Sequence, residues 1–354
     1  MITIDHLFSL HGGSAGLDAP SPCAEVTVTE SAPSLSVVIP CYNHAAVLLE
    51  ALASIDAQRW DDLEVIVVDD GSTDNTLAVL SRLADKKTRV ISQANAGPAA
   101  ARNRGIAEAR GEWIAFLDAD DRWAVGKLDL QMEIIRQRPS AGFCYADFCF
   151  QCLDGKERAW RSNPQQLPPL LELLLGNAFA TPTLMVRRTC LERAGLFDVD
   201  MRTGEDWDLW LRLSANCEGA YVPTPLAFIR VAGAPGKYSL EMVEAATFRA
   251  LTRLFNDATT TQRWPVLSVL RSKIYSWHCC VLAKSYGRQR RWCDSLRLVW
   301  KAVTSHPVAL RFLTARGERA MQLARWQVAN AYAKSDERHR EQPGACACCE
   351  SHRS

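Results

Sequence analysis

No run of 18 apolar residues occurs in the 354-residue chain, so no membrane-crossing helix is expected. The first 33 residues mix Gly, Ser, Ala and Pro without a positively charged start or an apolar core, which argues against a secretory signal. Cys41-Tyr42-Asn43-His44, after the first apolar run, is not a Gly-rich phosphate loop. The 13 cysteines are scattered, and Cys41, Cys144 and Cys190 fall in segments that read as buried. Reduced thiols in a cytoplasmic protein are therefore expected. The terminal Cys346, Cys348 and Cys349 have no second ligand pair at zinc spacing.

What is present has a clear period. Leu35-Ser36-Val37-Val38-Ile39-Pro40 and Leu63-Glu64-Val65-Ile66-Val67-Val68 read as buried strands. Helical apolar spacing follows each, at Leu48, Leu52 and Ile55 and at Leu77, Leu80 and Leu83. Near-continuous Val/Ile strands alternating with helices predict an α/β fold, a mostly parallel sheet covered on both faces. Such sheets bind ligands at the carboxyl ends of their strands. The polar loops Pro40 to Asn43, Asp69 to Ser72 and Asp118 to Asp121 lie at such ends and should converge on one crevice. In the last, Trp113-Ile114-Ala115-Phe116-Leu117 runs into Asp118-Ala119-Asp120-Asp121, hard oxygen ligands suited to a divalent cation and a diphosphate.

Five motifs in order carry a family resemblance: Ser36-Val37-Val38-Ile39-Pro40-Cys41-Tyr42-Asn43; Val67-Val68-Asp69-Asp70-Gly71-Ser72-Thr73-Asp74; Asn95 to Asn103; the acidic cluster; and Gly195-Leu196-Phe197-Asp198 with Gly204-Glu205-Asp206-Trp207-Asp208. Over about residues 35 to 240 the chain resembles the inverting family-2-type glycosyltransferases of GT-A (Rossmann-like) fold, which use nucleotide-activated sugars. The resemblance implies that Pro40, Tyr42 and Asp70 hold the nucleotide base, Asp70 by accepting a base N–H. It implies that Asp118 meets the ribose side and that Asp120, the second carboxylate of the DXD motif, ligates Mn²⁺ or Mg²⁺ on the diphosphate. Asp206 matches the general base that deprotonates the acceptor hydroxyl during a single displacement with inversion. Arg230 matches a cation that neutralises phosphate charge, although Ala232 stands where relatives commonly have histidine.

Structural readings stand beside these roles. Asp69 and Asp74 can cap the helix near Thr76, and Asp121 the turn after the cluster. Glu205 is an alternative base or a cap; Arg102 and Asn103 serve either the helix surface or the nucleotide. His44 reads as a helix-start residue. Gln322-Leu323-Ala324-Arg325-Trp326 fits a processive-synthase pattern, but lies more than a hundred residues past Asp206 and reads as chance.

The expected layout is an unstructured stretch to 33, a GT-A domain over 34–240, a basic helical appendage over 241–334, and a Cys-containing tail over 335–354. Residues 271 to 334 hold 13 Lys/Arg against Asp294 and Glu318, about +11, so the rest is near −10. Leu270, Ile274, Trp277 and Val281 share one helical face there, and Leu296, Val299, Trp300 and Val303 another. The expected function is transfer of a sugar from a nucleotide-diphosphate donor, UDP-sugar favoured, to a glycan, lipid-linked or protein hydroxyl in surface glycan or glycolipid assembly. Peripheral membrane contact through 271–334 is expected from its charge, and nucleic acid is not an expected partner. A nucleotidyltransferase of similar fold, or an inactive nucleotide-sugar-binding module, are the alternatives.

Overall fold

In the computed structural model, Leu35–Cys41 (β1) and Leu63–Asp69 (β2) pair in parallel, and every residue of the two except Pro40 is buried. The structure describes residues 34–82, 87–151, 156–162, 167–231, 238–314, 321, 322, 324, 325, 327–329 and 331. Leu83, Ala232, Leu323, Trp326 and both ends lie outside these residues.

The first half alternates as expected. Helix Leu48–Asp56 (α1) follows β1, and Thr76–Leu80 (α2) follows β2; Thr88–Ser92 (β3) adds to β2 in parallel. Pro98–Glu108 (α3) leads to Trp113–Phe116 (β4), parallel to β1 on its other side. There follow Arg122–Trp123 (β5), Lys127–Gln137 (α4), Ala141–Gln151 (β6), Glu157–Trp160 (β7), Pro169–Leu173 (α5), a 3₁₀ turn at Thr181–Thr183 and Met185–Arg187 (β8). Arg188–Ala194 (α6), Glu205–Asn216 (α7) and Glu218–Arg230 (β9) complete this part. The sheet order is β3-β2-β1-β4-β8-β6-β9-β5, with β7 beside β6. β8 is antiparallel to β4 and β6, so the sheet is mixed.

Strand alternation divides the apolar side chains between two layers. Val37, Ile39, Val65, Val67 and Leu117 pack with α1 and α4, whereas Val38, Ile66, Val68, Ile114 and Phe116 pack with α3 and α7. α3 crosses β1 so closely that a Cβ on Gly105 would lie 2.4 Å from Val38 Cγ1, a contact only glycine permits. Phe116, Phe197 and Trp210 meet with ring centroids 5.7–6.0 Å apart, fastening α7 beneath the end of β4. Each fully buried side chain of this kind contributes about 1.5–3 kcal/mol.

The C-terminal helices are Leu240–Asn256 (α8), Ala258–Arg263 (α9), Val266–Arg288 (α10), Trp292–Ser305 (α11) and Ala309–Thr314 (α12). Leu251, Leu254, Leu270, Trp277 and Phe312 belong to the same apolar cluster as Phe116 and Trp210. Leu270, Ile274 and Trp277 are buried as their spacing predicts, whereas Val281, grouped with them, is 40% exposed. The second face is grouped as expected, yet much of it points outward. Leu296, Val299, Trp300 and Val303 do share one side of α11, but Leu296 is 66% and Trp300 72% exposed, and only Leu298 and Ala302 of that helix are buried. No helix among the described residues is long and apolar enough to cross a membrane. All eight cysteines among them are free.

Candidate active site

The three loops at the strand ends are tied to one another by side chains. Asn43, with φ of 56°, accepts through Oδ1 from the N–H groups of Thr73 (2.8 Å) and Asp74, and its own N–H donates to Ser72 Oγ at 2.9 Å. Asp74 accepts from the Thr76 and Ala45 N–H groups, so it stitches the loop after β1 to the start of α2, as its capping reading anticipates. Asp69 accepts instead from the Ser72 N–H.

Asp70 is 3% exposed and organises the loop that follows β3. Its Oδ1 accepts from Gln93 Nε2 at 2.8 Å and the Ala96 N–H at 2.9 Å, and its Oδ2 from the Gly97 N–H at 2.8 Å. A carboxylate offers about four lone-pair sites, so one remains on Oδ2. The same turn needs Gly71: its φ is +76°, and a Cβ there would lie 2.8 Å from the Asn95 nitrogen. Pro40 is half-buried and Tyr42 43% exposed at the rim.

The acidic cluster sits opposite. Asp118 Oδ1 accepts from Arg102 Nη2 at 2.7 Å, and Arg102 Nη1 reaches Glu205 Oε1 at 3.2 Å. The Arg102 side chain is 7% exposed; burial opposes its charge, but Asp118 and Glu205 more than compensate and hold it protonated. Burial, with Asp118 and Asp120 beside it, pushes the Asp121 carboxyl well above its ordinary range. His44 Nε2 lies 3.9 Å from Asp120 Oδ2, so the helix-start residue also faces the cluster.

Asp206 stands in the first turn of α7, where the helix dipole favours a carboxylate. Its Oδ2 accepts from Asn177 Nδ2 at 2.7 Å and its Oδ1 from the Trp207 N–H at 2.7 Å. Burial raises its pKa against these two hydrogen bonds, and Glu205 is raised by burial and by Asp206. Trp207 Nε1 donates to the Leu173 carbonyl at 2.8 Å, holding the helix start against α5.

Arg230 ends β9 beside the cluster. Its N–H donates to Asp121 Oδ1 at 2.8 Å, its Nε to the Asp120 carbonyl at 3.1 Å, and its Nη2 to Glu50 Oε2 at 2.6 Å. The guanidinium is thus a paired cation at the edge of the crevice. The structure therefore brings Asp70, Asp118, Asp120, Asp206 and Arg230 onto linked loops.

Residues 36–194 match the sequence profile described as Glycosyl transferase family 2. An uncharacterized glycosyltransferase of Rickettsia felis is 30% identical over 227 residues, covering 60% of this chain and 36% of the relative. The putative teichuronic acid biosynthesis glycosyltransferase TuaG of Bacillus subtilis is 30% identical over 198 residues, covering 55% of this chain and 77% of the relative. The chain belongs to glycosyl transferase family 2. The crystal structure of S. aureus TarS 1–349 in complex with UDP-GlcNAc shares the fold, with a TM-score of 0.63 at 19% identity over 87% of this chain and 92% of that one. The match spans only about a third of the Rickettsia relative's length.

Within this glycosyltransferase fold, the sequence reading missed two residues of the crevice. Asn177 lies outside the five motifs, and His44 reads as a helix start; both are ordinary polar residues whose partners lie 29 and 76 positions away. The Gln322 to Trp326 pattern has a structural reading. Arg325 Nε donates to Glu172 Oε1 at 2.9 Å, offsetting a carboxylate that burial pushes upward.

Whether the cluster suits a divalent ion can be judged from its donors. Among the described residues no three His, Cys, Asp or Glu side chains form a metal cage. Asp118, Asp120 and Asp121 nevertheless form a mutually repelling oxygen set, with two of the side chains about a quarter exposed. These features fit an ion that takes its other ligands from a diphosphate and water.

Proposed function

We propose that this family-2 enzyme is a metal-dependent inverting glycosyltransferase that moves a sugar from a nucleotide-diphosphate donor, UDP-sugar favoured, to an acceptor hydroxyl. One observation carries the proposal: Arg102 pairs at once with Asp118 of the acidic cluster and Glu205 at the start of α7, fixing the cluster beside Asp206. In this reading Pro40, Tyr42 and Asp70 receive the base, the open lone pair on Asp70 Oδ2 accepting its N–H, and Asp118 meets the ribose.

Asp120 would hold Mn²⁺ or Mg²⁺, which supplies Lewis-acid stabilisation of the departing diphosphate. Asp206 then takes the proton from the acceptor hydroxyl as that oxygen attacks the anomeric carbon. Its raised pKa suits the task, because a more basic carboxylate accepts the proton more readily. Arg230 closes the edge of the site, steadied by Glu50.

The relative described for teichuronic acid biosynthesis supports a role in surface glycan or glycolipid assembly. The acceptor is then a glycan or lipid-linked hydroxyl met at the cytoplasmic face of a membrane. The deciding experiment is a donor panel: nucleotide-diphosphate sugars with Mn²⁺ and no acceptor, read as nucleotide release, followed by the anomeric configuration of the product. Release above background from one donor, and an inverted product, are expected; retention of configuration, or cleavage of none, refutes the reading.

A further inference from the structure

α11 presents an apolar ridge to the outside. Trp292, Leu296 and Trp300, spaced by four along the helix, are 63%, 66% and 72% exposed, and half-buried Val299 and Val303 flank them. Its inward side buries only Leu298 and Ala302. No described side chain covers the ridge. Three large apolar side chains aligned on one helix carry a continuous cost in water that an isolated one does not.

Positive charge flanks the ridge along the sequence. Arg288 and Arg290, just before Trp292, are exposed and form no ion pair among the described residues. Lys301, next to Trp300, is exposed and lies 4.0 Å from the Phe248 ring centroid. The whole segment 271–334 is about +11. Indoles bordered by cations are the composition of an interfacial helix: the ring belongs at the headgroup level and the cations at anionic lipid.

The area argues for a bilayer over a second copy of the chain. Two indoles and a leucine at two-thirds exposure offer roughly 400 Å², given about 150–250 Å² for a whole aromatic side chain. A standard dimer needs about 800 Å² from each partner. A lipid surface has no such threshold, since the ridge needs only to enter the headgroup layer.

We propose that α11 lies in the interface of an anionic bilayer, with Trp292, Leu296 and Trp300 inserted among the acyl-chain boundary and Arg288 and Arg290 at the lipid headgroups. This deepens the transferase reading by naming the surface on which the acceptor is met, and goes beyond charge attraction alone.

Flotation of the full chain tests it, using phosphatidylcholine vesicles with and without phosphatidylglycerol. The native chain floats with the anionic vesicles, and added salt weakens this. Combined Trp292→Ser, Leu296→Ser and Trp300→Ser leaves the charge unchanged, yet lowers the bound-to-free ratio at least about tenfold, about 1.4 kcal/mol. Combined Arg288→Gln and Arg290→Gln flattens the salt dependence. Circular dichroism and melting temperature serve as fold controls, so the result is independent of whether any donor is turned over. A serine variant that floats like the native chain overturns the insertion. So does a native chain that stays unbound, that binds only after residues 332–354 are removed, or that uses the ridge to dimerise without binding vesicles.

Discussion

Arg102 Nη2 lies 2.7 Å from Asp118 Oδ1, the arginine side chain itself only 7% exposed, and the other arm of the same guanidinium spans 3.2 Å to Glu205. Removing the arginine strands two carboxylates rather than one. Breaking a buried ion pair from one side costs about 3–5 kcal/mol, so Arg102→Ala should unfold several degrees earlier and lose activity. Arg102→Lys keeps the charge without the fork and should fall between. Thermal melting of both variants measures this; an unchanged melting temperature for the alanine variant would show that the pairing contributes nothing.

Asp120→Ala should abolish the dependence of nucleotide-diphosphate binding on Mn²⁺, with little effect on the melting temperature of the unliganded protein. Isothermal titration with and without the ion reads both. A variant that retains full metal dependence excludes Asp120 as the ligand.

Asp206→Asn preserves shape but accepts no proton. Turnover should drop roughly 10²-fold or more, the scale of general-base loss, while donor binding survives. Glu205→Gln should be milder. The reverse order would move the base one position along the helix.

The pH profile separates Asn177 from a bystander. Burial lifts the Asp206 pKa, and the hydrogen bond from Asn177 opposes that rise. A base acts when deprotonated, so activity falls as pH drops through the raised pKa. Asn177→Ala removes one opposing contribution, and the acid limb of kcat/KM should shift to higher pH. A uniformly lower rate with an unmoved limb would restrict Asn177 to shaping the pocket.

Gly71→Ala tests the loop that holds Asp70. The left-handed φ and the 2.8 Å approach to the Asn95 nitrogen leave no room for a methyl group. A loss of more than about 1 kcal/mol in stability is expected, together with weaker nucleotide binding, read by denaturant unfolding and titration. Full binding in a stable alanine variant would contradict the described turn.

The parallel core was legible because β1, β2 and β4 are short apolar runs that end in polar motifs, and burial on both faces removes any ambiguity of period. β9 was not. It carries Pro223 and Pro225, which cannot donate to a strand ladder, and passes them by a register shift in which Ala146 pairs with Val222 and Asp147 with Pro225. For α11, spacing correctly grouped Leu296 with Trp300, but periodicity tells which residues share a side and not which side faces the protein. The Asn177 to Asp206 bond was invisible for another reason: it joins the segment after α5 to the first turn of α7, and their approach depends on the packing of those two helices.

Arg253 of α8 donates to Asp198 Oδ2 at 2.6 Å and to Asp208 Oδ2 at 2.7 Å, joining a helix beyond position 240 to both acidic motifs that flank the Asp206 turn. This bears on how the chain can be divided. A fragment or chimera cut at the motif boundary near 240 would separate that fork from its carboxylates and uncover Leu251 and Leu254, which are buried. The transplantable unit therefore extends past α8, and a fusion designed from motif positions alone would start from a damaged catalytic turn.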